Sequence, residues 1–230
     1  MMKTSTYLLL IITVIQIGCS QPVKKEPFEG TINYTITFTP KSSANNTFSA
    51  MQEQRYGDKM KLFIKQNGDL RREFPNSGPN GFRSVLFKAD TNKQFMRWRN
   101  VDTLYAANAA VNNLRFISEK ELPGEKIKGV TCKCYLISGI DLKNKQRVSL
   151  TYFYPVNKEY INPAPHMSYK DFFFDKVSEK MQAPFYKLIM DMGKYSITLT
   201  MDDIDPHFLD PIIFKVPDDI PILEKGRKTD

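Results

Sequence analysis

The stretch "GTINYTITFT", residues 30–39, restricts the fold more than any other feature of the sequence. Ile32, Tyr34, Ile36 and Phe38 alternate with Thr31, Asn33, Thr35, Thr37 and Thr39. Strand side chains point to opposite faces in turn, so this pattern places an apolar row on one face and a hydroxyl row on the other. On a helix the same residues would scatter around the axis and bury no continuous stripe. The chain therefore contains a half-buried strand and needs a sheet to receive it.

The signal recurs. In "KMKLFIK", Met60, Leu62 and Ile64 alternate with lysines; Asn67-Gly68 then supplies a tight turn, and Asp69 to Phe74 reads as the returning strand. After "PNSGPNG" the segments "FRSVLFKAD" and "KQFMRWRN" predict two strands around a turn at Asp90 to Asn92. Val130, Cys132, Cys134 and Leu136 share a face after a Pro123-Gly124 turn, as do Val148, Leu150, Tyr152 and Tyr154. Phe185 to Met192 and Lys194 to Ile204 form a last pair joined at Gly193. Lys41 to Ser49 reads as a Ser/Asn-rich loop, and alanine-rich Tyr105 to Asn113 as a short helix. Phe173, Val177 and Met181 recur at four-residue spacing until Pro184, which predicts an amphipathic helix within Lys170 to Ala183. The expectation is a mainly β fold of roughly eight to ten strands, a curved antiparallel sheet or open half barrel with one or two short helices.

The N-terminus fixes an address. Lys3 precedes the uncharged run Tyr7 to Ile15, the layout of a secretory signal. The run ends in "VIQIGCSQP", and Gly18-Cys19 resembles a bacterial lipobox, in which the cysteine thiol is acylated and becomes the first mature residue. Each acyl methylene buried in a bilayer contributes about 0.8 kcal/mol, so several chains on one cysteine anchor a domain durably. Residues 1–18 read as the signal peptide, 19–27 as lipidated cysteine and tether, 28–220 as a single β-rich domain and 221–230 as a basic tail.

The formal charge of +8 either favours anionic neighbours such as phospholipid headgroups or, with no basic block longer than a few residues, reflects scattered lysines that keep a β-rich domain soluble; export argues against nucleic acid as a partner. With Cys19 acylated, Cys132 and Cys134 remain. Two apart on a strand, their Cα atoms stand about 7 Å from one another, at the limit for a disulfide, so they read as buried free thiols.

Catalytic signals are sparse. His166 and His207, the only histidines, lie beside prolines with no recognisable nucleophile partner. "MDDIDPHFLD" gathers Asp202, Asp203, Asp205, His207 and Asp210, but lacks the glycine spacing of a calcium loop. No phosphate-cradling glycine motif occurs. The sequence thus points to no enzyme, no cofactor and no metal. It offers soft apolar side chains instead: Met181, Met190, Met192 and Met201, which suit either an ordinary core or a deformable pocket for acyl chains. Arg97, Trp98 and Arg99 in "MRWR" set a ring beside two cations, a candidate rim for an anionic head group.

The lipobox, "FEGTINYTI", "GDLRREF", "KIKGVTCKCYLI", "YFYPVNKEYINP" and "GKYSITLTMDDIDPHFLDPIIFKVPDD" together resemble bacteroidete lipoproteins of unknown function, which are similar in turn to the lipoprotein carriers LolA and LolB. That resemblance implies an open barrel whose concave side holds acyl chains and is partly plugged by short helices. It also implies an outer-membrane lipoprotein, and the basic "SQPVKKEP" after Cys19 departs from the acidic surface-export run of such proteins, which points to the periplasmic face. The resulting expectation is a membrane-anchored envelope lipoprotein that binds a lipid or an acylated protein segment. The alternative is a scaffold or protein-binding module with a filled barrel.

Overall fold

The computed structural model describes residues 26–156 and 158–224, so the signal segment and Cys19 lie outside the described residues. Its strands are β1 (Gly30–Pro40), β2 (Lys59–Ile64), β3 (Leu70–Glu73), β4 (Phe82–Lys88), β5 (Lys93–Trp98), β6 (Leu104–Asn108), β7 (Leu114–Ile127), β8 (Val130–Asp141), β9 (Arg147–Pro155), β10 (Lys187–Asp191), β11 (Tyr195–Pro206) and β12 (Ile222–Glu224). The helices are α1 (Asn46–Tyr56) and α2 (Phe174–Met181), with 3-10 turns at Ala164–His166, Asp171–Phe173 and Pro211–Phe214.

All twelve strands belong to one sheet in the order β12-β6-β5-β4-β3-β2-β1-β11-β10-β9-β8-β7. Every ladder is antiparallel except that between β12 and β6. Among the described residues no ladder joins β12 to β7, so the sheet curls without closing. The mainly β, open, curved expectation holds, with more strands than counted.

β1 is the central strand, flanked by β2 and β11. Its inward row packs as the alternation dictates: Ile32 and Tyr34 are fully buried and Ile36 nearly so. Met60 and Leu62 from β2, Ile197, Leu199 and Met201 from β11, and Leu188 from β10 extend one continuous core across the concave face. α2 lies against this face with Val177 fully buried. A smaller convex-side cluster of Leu86, Leu209 and Phe214 is covered by the chain after β11.

Three local expectations are corrected. Tyr105 to Asn113 is not helical; Leu104–Asn108 is a strand, because pairing with β5 on one side and β12 on the other overrides alanine's helix preference. The 41–49 loop gives way to α1, a helix hidden from a periodicity search because only Ser49 of its eleven residues is buried. Pro123-Gly124 does not end a strand. It sits in a β-bulge inside β7, where a Cβ at Gly124 would stand 2.0 Å from the Cys132 carbonyl oxygen. β7 itself shows no alternation because it is an exposed edge strand, and its many charges guard that edge against further pairing.

Candidate functional site

The chain leaves β9 at Pro155 and returns in β10 at Lys187, and residues 161–185 between them plug the concave face. Four contacts seat this plug. Pro165 lies over the Asn67-Gly68 turn, where a Cβ at Gly68 (φ +94°) would stand 2.2 Å from the Pro165 Cβ. The His166 Nε2 bonds the Gly68 carbonyl at 2.9 Å. The Tyr169 ring stacks on Phe87 with centroids 4.3 Å apart. Phe173 packs over Gly139 of β8, whose missing side chain makes room for the ring.

Polar groups are placed under the plug as well. Arg72, an inward position of β3, donates from Nη2 to the Tyr169 hydroxyl at 3.3 Å. Gln94 of β5 donates to the same hydroxyl, and to the Asp171 carboxylate at 3.3 Å. Tyr34 donates to the Phe185 carbonyl at 2.9 Å. Burial pushes the Tyr34, Tyr152 and Tyr169 phenols above their ordinary range, so each is neutral at physiological pH. None is poised as a base.

Two hollows meet at the C-terminal end of α2. The inner one, about 50 Å³, is apolar and lies between Met60, Leu62, Ile64 and Leu70 of the sheet and Phe174, Val177 and Met181 of α2, with Arg72 and Phe185 in its wall. The outer one, about 230 Å³, opens to solvent between Tyr154, Val156, Tyr160, the cations Lys133, Lys158 and Lys180 and one carboxylate, Glu159. Met181 and Ala183 line both, so they form the partition. Lys180 is paired with Glu121 of β7 at 2.5 Å; among the described residues Lys133 and Lys158 are in no ion pair.

The inner hollow is about a third of the ~150 Å³ cavity that accommodates a benzene-sized ligand. It cannot hold an acyl chain while the plug is seated. The plug's backbone carries strain on either side of α2: Phe172 (φ 50°), Phe173 (φ 59°) and Gln182 (φ 47°) are all left-handed, a conformation that costs non-glycine residues of order 1–3 kcal/mol each.

The residues singled out in the sequence are spread over several places. Met181 is the partition just described. Met201 is buried in the core, and Met190 and Met192 pack against it. Arg97, Trp98 and Arg99 lie at the opposite end of the sheet, beside α1. There Trp98 stacks on Phe82 at 4.1 Å and lies under the Arg55 guanidinium, lining an open groove of about 530 Å³. Arg99 donates to the Ser77 hydroxyl and to the Phe74 and Pro75 carbonyls. Cys132 and Cys134 are free and buried. The ladder pairs Cys134 with Phe153 and Tyr135 with Tyr152, so both thiols lie on the face opposite Tyr135, Ile137 and Gly139. Asp202 holds Thr35 and Lys59, and Asp203 holds Asn33; no group of three or more metal-ligating side chains is found among the described residues. Sequence reasoning passed over Arg72, Gln94, Tyr169 and Phe185. The available signal was Arg72, a charge at an inward position of "DLRREF".

No protein-family model matches this chain, and no curated protein does. Among solved structures, the Mycobacterium tuberculosis lipoprotein LppX is similar with a TM-score of 0.37 at 10% identity, over 79% of this chain and 90% of that one. LprF from Mycobacterium bovis is similar with a TM-score of 0.35 at 8% identity, over 80% of this chain and 90% of that one. Likeness at that level assigns no relative, and the architecture stands on the strand ladders themselves. No helix among the described residues is long and apolar enough to cross a membrane.

Proposed function

We propose that this chain is an envelope lipoprotein, anchored through acylated Cys19 on the periplasmic face of the outer membrane, whose curved sheet binds a hydrophobic chain in place of its own plug. The ligand is an acyl chain, presented by a lipid or by an acylated protein segment. The supporting observation is that the apolar hollow under α2 on the concave face is divided from the lysine-bearing outer pocket by Met181 and Ala183 alone. Displacing the plug exposes an apolar floor that includes Met60, Leu62 and Leu70, while Lys133 and Lys158 face an anionic head group at the mouth. Relief of left-handed strain at Phe172, Phe173 and Gln182 offsets part of the contact energy lost when the plug lifts. The concave face also carries Met190 and Met201, whose flexible thioethers adapt to chains of different length.

Native mass spectrometry of the Cys19→Ser protein, with lipids and acylated peptides added in separate arms, tests the reading. Uptake in one arm identifies the source of the chain. An apo mass unchanged in both arms returns the scaffold reading, for which the plugged concave face, with only about 50 Å³ left under α2, is the supporting observation. Cell fractionation tests the anchor separately: Cys19→Ser releases the protein from membranes, and continued sedimentation with them refutes acylation.

A further inference from the structure

The beginning of the described chain and the exit from β11 meet at one end of the sheet. The Glu29 carbonyl accepts from the His207 amide at 3.1 Å, and Glu29 Oε1 accepts from the Leu209 amide at 2.8 Å. Gln66, in the β2–β3 turn, donates to Glu29 Oε2 at 3.3 Å and to the Pro27 carbonyl at 3.2 Å. Beyond this knot Leu209 and Phe214 are buried against Leu86 on the convex face, and Asp210 Oδ1 accepts from the Ile212 amide at 2.9 Å. The segment is pinned at each step, and two apolar side chains between the pins face outward. Phe208 is 89% exposed and Ile212 68%, the highest values among the large apolar residues described.

Fixed exposure of this kind wastes apolar surface in water, and it occurs beside the root of the proposed tether. Cys19 lies eight residues before Pro27, so at ~3.3 Å per residue the root stands at most about 26 Å from the acylated thiol. With Cys19 acylated, the end of the sheet that carries Phe208 is the end nearest the bilayer. β9 also finishes there, at Pro155, beside the mouth between Tyr154 and Val156. Trp98 and α1 are at the far end.

We propose that Phe208 and Ile212 are a second membrane contact, seated in the interfacial layer of the bilayer that holds Cys19. This rests on the lipoprotein reading. The charges around the tip are mixed: Asp205 is paired with His207 Nδ1 at 3.2 Å, Asp210 caps the turn, and Lys65 stands over the Phe214 ring at 5.6 Å. The contact is thus driven by apolar burial, and zwitterionic lipid suffices for it. Its consequence is orientation: the domain stands with the pocket mouth toward the lipid.

The full-length protein, extracted with its anchor and reconstituted in phosphatidylcholine vesicles, allows a direct test. Trp98 is the chain's one tryptophan, so Phe208→Trp adds a single reporter at an exposed site, and Leu142→Trp adds one at the opposite end of the sheet. The expected result is a blue shift of the Phe208→Trp difference spectrum and loss of its emission with brominated phosphatidylcholine. Leu142→Trp is quenched by aqueous iodide alone. Co-flotation of the protein with Phe208→Trp open to iodide overturns the inference and leaves the anchor standing. Shielding from both quenchers assigns the tip to a second copy or another protein and also overturns it. Failure to co-float refutes the anchor reading, and this inference with it.

Discussion

Gly139 is the position where one added carbon distinguishes a seated plug from a loosely covering loop. In an ordinary strand, Gly→Ala removes backbone entropy from the unfolded chain and stabilises by roughly 0.5–1 kcal/mol. Here an added Cβ would stand 2.6 Å from Phe173 Cζ, 2.9 Å from Phe173 Cε2 and 2.9 Å from the Arg115 carbonyl oxygen. Overpacking of a filled core costs about 1–3 kcal/mol, which exceeds the backbone gain, so Gly139→Ala should destabilise by about 0.5–2 kcal/mol in urea unfolding. The cause is separable by a double-mutant cycle. Phe173→Leu removes the two ring contacts and leaves the one to the Arg115 carbonyl, so in that background part of the penalty should vanish, giving a coupling of about 1 kcal/mol. Because the ring belongs to the plug and Gly139 to the sheet, hydrogen exchange should rise first in residues 161–185. Uptake of fatty acid by Gly139→Ala should increase with it, since 1.4 kcal/mol of plug destabilisation raises the open population about tenfold. A neutral or stabilising Gly139→Ala, or an equal cost with and without the Phe173 ring, refutes the argument that this contact seats the plug.

Burial lowers the His166 pKa; the Gly68 hydrogen bond and the Asp69 carboxylate oppose that shift, and Nδ1 has no partner. The folded-state pKa is thus below the unfolded value of about 6.5, so stability is intact above that pH and declines as pH falls below it. The protection factors of plug amides, corrected for the intrinsic exchange rate, should fall between pH 7.5 and 5, and His166→Gln should flatten the dependence; an equally steep profile in the variant excludes His166 as the cause. Entry past the Met181 partition predicts that Met181→Trp reduces lipid uptake while Arg97→Ser, Trp98→Ser and Arg99→Ser together leave it unchanged, and the reverse result assigns entry to the groove beside α1. Burial raises the Cys132 and Cys134 thiols, so at pH 7.5 both should react with a disulfide reagent only on unfolding; fast labelling of the native protein contradicts their placement.

How much of this could be read from the sequence depends on what each segment buries. β1, β2, β9 and β11 each place one face in the core, so every second residue is apolar and the period is visible. β7 and α1 bury almost nothing, and a segment without a buried face carries no hydrophobic period. α2 was legible through Phe173, Val177 and Met181, yet their spacing gave no hint of the left-handed residues on either side of the helix. Those arise where the chain must turn twice to press a short helix into a curved sheet, a tertiary demand with no local code.

The same reasoning explains why the site was only half visible. Methionines and the "MRWR" run stand out by composition, but composition does not give direction, and the ladders divide these residues between the concave core and the far end of the sheet. Arg72 was overlooked because an arginine beside Arg71 reads as surface charge. Register makes it different: Leu70, buried, and Arg72 share a face, whereas Arg71 points outward to bond the Ile213 carbonyl at 2.6 Å. An inward charge on a curved sheet needs a partner from whatever covers that sheet, because even a half-buried guanidinium loses free energy when its hydrogen bonds to water are not replaced. Tyr169 supplies that partner from the plug. A ligand that lifts the plug therefore has to satisfy Arg72 again, with a head group or with water. Bare hydrocarbon lacks an acceptor, so an alkane could fill this hollow only with water left on the guanidinium, whereas an amphiphile can bring its own acceptor to Arg72.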